Sequence, residues 1–235
     1  MRKNKKVVGA MEEITGKYSK LLGETTLFRG MGGVISEALV AMKADGSAYI
    51  KGEFLCRLGQ PVERFGLVLT GKIQVCMDDI DGNRMIMANV TAGGTFGESL
   101  SFLHTTESPV YIVATEDAEI LWLSPDVLFT EGDDKLSAEL RSRFTAMIAE
   151  RALSMNTRIQ ILSKLTIRDK LIALFSSYSA GAESFDVPFS REDMAAYIGA
   201  DRSAMSRELS ILPITIFTDT LRLIVMGILT MIVPL

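Results

Sequence analysis

The 235-residue sequence holds one histidine and two cysteines, and those scarcities exclude several kinds of chemistry. An iron–sulfur sensor needs four thiolates, so a single chain with only Cys56 and Cys76 cannot build one. The two cysteines have no metal-ligand spacing and lie in apolar, strand-like runs, which reads as buried, reduced thiols in a cytoplasmic protein. Neither has a cationic cluster beside it in sequence to lower its pKa, which argues against thiol redox sensing. His104 is the one candidate haem ligand, and its setting, SFLHTTESP, reads as a solvated loop. There is no P-loop, no Gly-x-Ser-x-Gly and no His/Cys/Glu metal cluster, and Glu98 beside Gly97 reads as a lone acid. The chain is therefore read as not an enzyme and as carrying no iron–sulfur or haem cofactor. A surplus of basic residues is missing too: the net charge is −4 and the pI about 5.2. DNA, if touched, is touched by a small patch. The opening RKNKK is basic, but the VVGA that follows is too short for a signal-peptide core.

The length is ample for a core, and the pattern divides in two. From Ala48 onward come short alternating runs, SAYIKGEFLCRLG, FGLVLTGKIQVCM, NRMIMANVTAG, VYIVATED and EILWLS. Gly59-Gln60-Pro61, Gly71, Asp81-Gly82-Asn83 and Gly93-Gly94 separate them. Many short strands at this spacing predict a jelly-roll-like β-roll. After Leu123 the pattern turns helical, with Ser124 and Pro125 as start signals. Residues 134–165 contain no Pro or Gly and carry an apolar stripe of Leu140, Phe144, Met147, Ile148, Met155, Ile159 and Leu162. A stripe of that length predicts a dimerisation helix with a coiled-coil-like seam, the alternative being a helix laid on its own β domain. A shorter helix is expected over 169–178.

Residues 190–209 read SREDMAAYIGADRSAMSREL. Ser190 caps a helix start, with Asp193 completing a capping-box-like pair. Met194, Ala195 and Ile198 face inward, Gly199 turns the chain, and Asp201 caps a second helix whose Met205 and Leu209 face the core. Arg202, Ser203, Ser206 and Arg207 are left outside. The segment is either an ordinary helical hairpin or a helix-turn-helix whose second helix enters a DNA major groove, where Arg addresses guanine and Ser a base edge or phosphate.

The order β-roll, long helix, helix-turn-helix resembles the Crp/Fnr family of bacterial transcription regulators over about residues 20–210. GLVLTGKIQV, GGTFGES, LTIRDKLIAL and FSREDMAAYIGADRSAMSREL carry the likeness together. The resemblance implies an α+β protein. Its expected parts are an N-terminal tail and helix (1–19), an effector-sensing β-roll (20–130), a long dimerisation helix (131–165) and a helix-turn-helix domain (166–210). It implies a homodimer on a two-fold operator in double-stranded DNA, with RNA polymerase as a further partner, and an effector acting through different affinities for two arrangements. The DNA-binding positions carried over are Arg202, Ser203, Ser206 and Arg207. Ser203 stands where familiar members have a base-reading Glu, so the operator differs. Gly97 and Glu98 match the residues that hold a cyclic nucleotide's ribose. The Arg-Ser pair that clamps its phosphate falls on Ser108-Pro109, which offers one hydroxyl and no cation. A cyclic nucleotide is therefore not expected. Leu153 and Ser154 are placed over the pocket, suiting a small, mostly apolar effector of unknown identity.

Past Leu209 the family pattern fails. Over 211–235 the only charged side chains are Asp219 and Arg222, and the 13 residues 223–235 carry none. That uncharged run is short of the roughly 20 residues a membrane span needs, so a membrane anchor is not expected. The favoured reading is a shifted reading frame that replaced the basic wing with an atypical apolar tail. A genuine alternative ending, such as a β-hairpin packed on the helix-turn-helix, is the competing one. The first expectation gives a domain lacking its usual wing and binding DNA weakly or not at all. The alternative function is thus a dimeric small-molecule-sensing protein with impaired or lost DNA binding.

Overall fold

The computed structural model describes residues 2–78, 84–128, 134–179, 184–187, 189–212, 214–217 and 221–225. The chain divides into two compact units, residues 1–77 with 88–151 and residues 78–87 with 152–235. The α+β architecture expected from the sequence is the one observed.

Helix α1 (Arg2–Glu24) leaves helical geometry at Tyr18. There the phenol donates to Glu119 Oε2 at 2.6 Å, beside the Lys17 ammonium at 3.0 Å. A single 3-10 turn (Gly32–Val34) leads into α2 (Ile35–Ala41). The strands follow as β1 (Asp45–Tyr49), β2 (Phe54–Cys56), β3 (Phe65–Thr70), β4 (Lys72–Asp78), β5 (Arg84–Thr91) and β6 (Thr95–Phe96). After α3 (Glu98–Phe102) come β7 (Tyr111–Ala114) and β8 (Ala118–Leu123). They form two four-stranded sheets, in the orders β1-β8-β3-β6 and β2-β7-β4-β5. The hairpin turn read at 79–83 lies outside the described residues. A 3-10 turn over Pro125–Leu128 stands where Ser124 and Pro125 signalled a helix start, with the Asp126 amide donating to Ser124 Oγ.

β3 shows why these runs become strands with two buried faces. Alternate side chains leave a strand on opposite sides. Phe65, Leu67 and Leu69 join Leu121 and Leu123 of β8 in a core shared with α1 and α2. Val68 joins Ile120, Phe96, Ile73 and Ile112 in a second core between the sheets. Such a strand reads as a nearly continuous apolar run, FGLVLT, because neither face meets water.

Helix α4 (Lys135–Leu162) spans 28 residues and crosses the division between the units. Its apolar stripe does not all await a partner, which corrects the dimer-seam expectation for half of it. Leu140, Phe144 and Met147 are buried in the first unit's own core, with Ile148 partly buried against it. The Phe144 ring lies 5.6 Å from that of Phe65. Met155 and Ile159 are 54% and 61% exposed, and Leu162 is half-buried.

In the second unit α5 (Ile167–Ser179), β9 (Ser184–Val187), α6 (Arg191–Ile198) and α7 (Arg202–Ile211) precede β10 (Ile214–Phe217) and β11 (Leu221–Val225). The last two strands pair antiparallel, Ile214 opposite Val225, and β11 pairs with β9, Leu221 opposite Val187. The expectation of a domain without a two-stranded wing is corrected here. Two β-branched runs flanking Thr218-Asp219-Thr220 suit a hairpin whatever their charge. Residues 226–235 lie outside the described part.

Gly71, between β3 and β4, has φ +78°, and a Cβ there would sit 2.2 Å from the Asp117 carbonyl oxygen. Strain and clash act together at this position. Gly71→Ala is expected to destabilise the protein by about 2–4 kcal/mol, read as a lower denaturant midpoint at unchanged slope.

Candidate functional site

The roll carries an open pocket of about 500 Å³ whose wall includes Tyr49, Leu55, Cys56, Phe96, Gly97 and Trp122, with Gln60 and Glu63 also lining it. β8 places Trp122 on the inner face, where its indole N–H donates to the Tyr49 hydroxyl at 3.1 Å. The Phe96 ring meets that indole edge-on at 5.4 Å. Burial raises the pKa of the Cys56 thiol, so it stays protonated. Cys76 is likewise buried. Arg64 lines the cavity mouth with Asp45 3.9 Å away. A partly aromatic-walled space that also presents a phenol, an amide, a carboxylate and a guanidinium suits a small molecule with both apolar and hydrogen-bonding parts.

The carried-over effector residues are placed unevenly. Gly97 lines the cavity with φ +77°. Glu98 is 5% exposed, accepts from the Thr95 hydroxyl and lies 3.0 Å from Arg151 Nη2 of α4. This corrects the reading of Glu98 as an acid with no balancing arginine. Arg151 also donates to the Thr95 carbonyl, so its guanidinium is fixed at two points. Ser108 is buried and its hydroxyl donates to the Val110 carbonyl at 2.7 Å, an internal turn rather than an open anchor. Leu153 and Ser154 are exposed side chains of α4 in the second unit, whereas the cavity wall is made of first-unit residues. His104 is an exposed loop residue, as read.

Sequence reasoning missed Arg151, Tyr49 and Trp122. Arg151 had a signal. It follows Leu140, Phe144 and Met147 at helical spacing, and a cation continuing a buried apolar stripe predicts polar partners opposite it.

The second unit places the DNA-reading candidates. The Ser190 hydroxyl accepts from the Asp193 amide at 3.1 Å and starts α6. Gly199, at φ +60°, ends it with its amide on the Ala195 carbonyl. Asp201 accepts from the Ala204 amide at 2.8 Å and starts α7. Met194, Ala195, Ile198, Met205 and Leu209 are buried, as the spacing predicted. Arg202, Ser203 and Arg207 are exposed and Ser206 is half-buried.

Residues 47–133 match the cyclic nucleotide-binding domain family. Among solved structures, FixK2 from Bradyrhizobium japonicum is 21% identical, with a TM-score of 0.62 over 78% of this chain and 93% of that one. CLP from Xanthomonas campestris, a c-di-GMP-responsive global regulator, is 17% identical, with a TM-score of 0.65 over 83% and 99%. TTHA1359, a CRP/FNR-family transcriptional regulator from Thermus thermophilus, is 20% identical, with a TM-score of 0.54 over 80% and 97%. The chain has the Crp/Fnr fold. No curated protein sequence matches it. Among the described residues, no helix of this Crp/Fnr fold is long and apolar enough to cross a membrane.

Removing one partner of the Glu98–Arg151 pair strands a buried charge. Arg151→Met is expected to lower stability by roughly 2–4 kcal/mol, and Glu98→Gln added to it to restore more than half of the loss. Chemical denaturation of the four members of the cycle measures both.

Proposed function

We propose that the chain is an effector-responsive, homodimeric transcription regulator of the Crp/Fnr type. The observation that carries this reading is the pair α6 and α7, capped at each start and joined at Gly199, with Arg202, Ser203 and Arg207 exposed on α7. In this reading α7 enters the major groove, Arg207 contacts a base or phosphate, and Arg202, Ser203 and Ser206 complete the face. The effector occupies the cavity walled by Tyr49, Phe96 and Trp122. It is not a cyclic nucleotide. The Arg151 contact removes repulsion from Glu98 as an objection, but Ser108 and Pro109 still supply no cation for a phosphate. RNA polymerase is the partner that a DNA-bound regulator of this type engages.

Dimerisation rests on the second half of α4. Met155 and Ile159 are large, exposed apolar side chains four residues apart, the spacing at which one helix meets another. Met155→Glu together with Ile159→Glu is expected to turn the dimer into a monomer in sedimentation velocity. A dimer unchanged by both substitutions refutes this seam.

The second reading, a sensor with impaired DNA binding, has its own support. Residues 190–210 hold three arginines against four carboxylates, and β10 and β11 add only Arg222. Selection of duplexes from a random pool by the full chain, followed by anisotropy titration in a salt series, separates the two. The regulator reading expects a recovered two-fold site, with Arg207→Ala weakening binding by about 1–3 kcal/mol. No recovered site favours the sensor alone.

A further inference from the structure

The carbonyl end of α6 is gripped by two cations. Lys170 of α5 donates from Nζ to the Ile198 carbonyl at 3.0 Å. Arg158 of α4 reaches the Tyr197 carbonyl from Nη2 at 3.4 Å, with its guanidinium carbon 4.6 Å from the centre of the Tyr197 ring. From Nη1 the same side chain donates to the Met87 carbonyl at 2.7 Å.

Arg158 is 7% exposed, and its Nε has no hydrogen-bond partner among the described residues. No carboxylate pairs with it among the described residues, and burial pulls its pKa below the ordinary arginine value. An unpaired buried cation is expensive. What offsets it here is oxygen and π-electron density: two backbone carbonyls, one at the negative end of a helix, and an aromatic face. The last carbonyls of a helix have no partner within it, so the arrangement satisfies both sides.

Position gives this contact its consequence. Tyr197 and Ile198 are the last two residues of α6, Gly199 turns the chain, and Asp201 starts α7. Whatever fixes the carbonyls of Tyr197 and Ile198 fixes where α7 departs. We propose that Arg158 is a positioning residue for DNA recognition: by holding the end of α6 through Tyr197, it sets the direction of the helix that carries Arg202 and Arg207. This rests on the reading of α7 as the DNA-contacting helix. Arg158 acts through backbone placement and touches no DNA itself. Lysine cannot replace it fully, because one ammonium lacks the planar fork that spans two carbonyls and stacks on a ring.

The test uses the full chain with Arg158→Met and Arg158→Lys, read by hydrogen exchange and by anisotropy on two duplexes. One duplex is selected by the wild-type protein from a random pool, and the other has an unrelated sequence. Arg158→Met is expected to speed exchange across residues 195–201 about tenfold or more, while residues 167–179 and β3 stay unchanged. Affinity for the selected duplex falls by about tenfold or more. Binding to the unrelated duplex and its salt slope hold, because Arg202 and Arg207 are intact. Arg158→Lys shows the same pattern at smaller amplitude, and it alone decides the matter if the methionine variant does not fold. Unchanged exchange over 195–201 overturns the proposal, as does an equal loss on both duplexes with exchange raised throughout the unit. If the wild-type chain selects no duplex, the DNA reading fails, and the exchange data still decide whether Arg158 holds the end of α6.

Discussion

The contact on which the first unit depends is the ion pair between Glu98 and Arg151. A carboxylate this deeply buried is tolerable only with a cation and further donors around it, and Thr95 and Arg151 provide them. The pair fixes the first residue of α3 and one residue of α4. Around it the packing is non-directional: Phe144 on Phe65 and Leu140 and Met147 in the shared core exclude water without choosing a register. The charge pair chooses it, since sliding α4 by one turn would leave Glu98 facing a methionine. Next to this, the pocket in the roll combines aromatic and aliphatic groups with Glu63 and Arg64.

α4 shows how much of a fold is legible in sequence and where legibility stops. Its existence and extent followed from the absence of Pro and Gly and from the apolar spacing. Its faces did not, because two stripes run along one helix. Leu140, Phe144, Met147, Arg151, Arg158 and Ile161 lie on one, inward, at near-heptad intervals. Met155 and Ile159 lie on another, exposed. Hydrophobicity alone merges them, since both hold apolar residues and the inward one contains two arginines. Inward-facing cations, Arg158 buried and Arg151 half-buried, are uncommon enough that pattern reading assigns such residues to solvent. They were the informative residues. Arg151 and Arg158 stand seven apart, each taken into a different unit, one meeting a carboxylate and the other carbonyls and a ring.

The roll and the capped helix pair α6 and α7 were legible for a different reason. Strand alternation, turn glycines and capping side chains act locally, so a window of a few residues contains the cause. Ser190 on the Asp193 amide and Asp201 on the Ala204 amide were readable in this way. The cavity was not. Tyr49 and Trp122 are 73 residues apart and meet only because β1 and β8 pair. Nor was the hairpin of β10 and β11. The missing basic residues drew attention to charge, whereas strand formation answers to β-branching and to an available edge on β9.

That hairpin changes what the low positive charge implies. Affinity for DNA is governed largely by phosphate neutralisation, and three arginines against four carboxylates in residues 190–210 leave little of it. A domain so charged cannot hold DNA by attraction alone and then search for a register. On the proposed DNA-reading role, it would have to present its few donors already in place, because each misdirected arginine is a large fraction of all it has. Preorganisation and pairing are the two physical means of achieving this: rigid placement reduces the entropy lost on docking, and a second copy raises the effective concentration of the second half-site. In the proposal made above, the end of α6, held by Arg158 and Lys170, supplies the first. The exposed face of Met155 and Ile159 is suited to the second. A weakly charged reader of DNA therefore needs both features more than a basic one would, and their presence in a chain of net charge −4 is consistent with recognition by geometry rather than by charge.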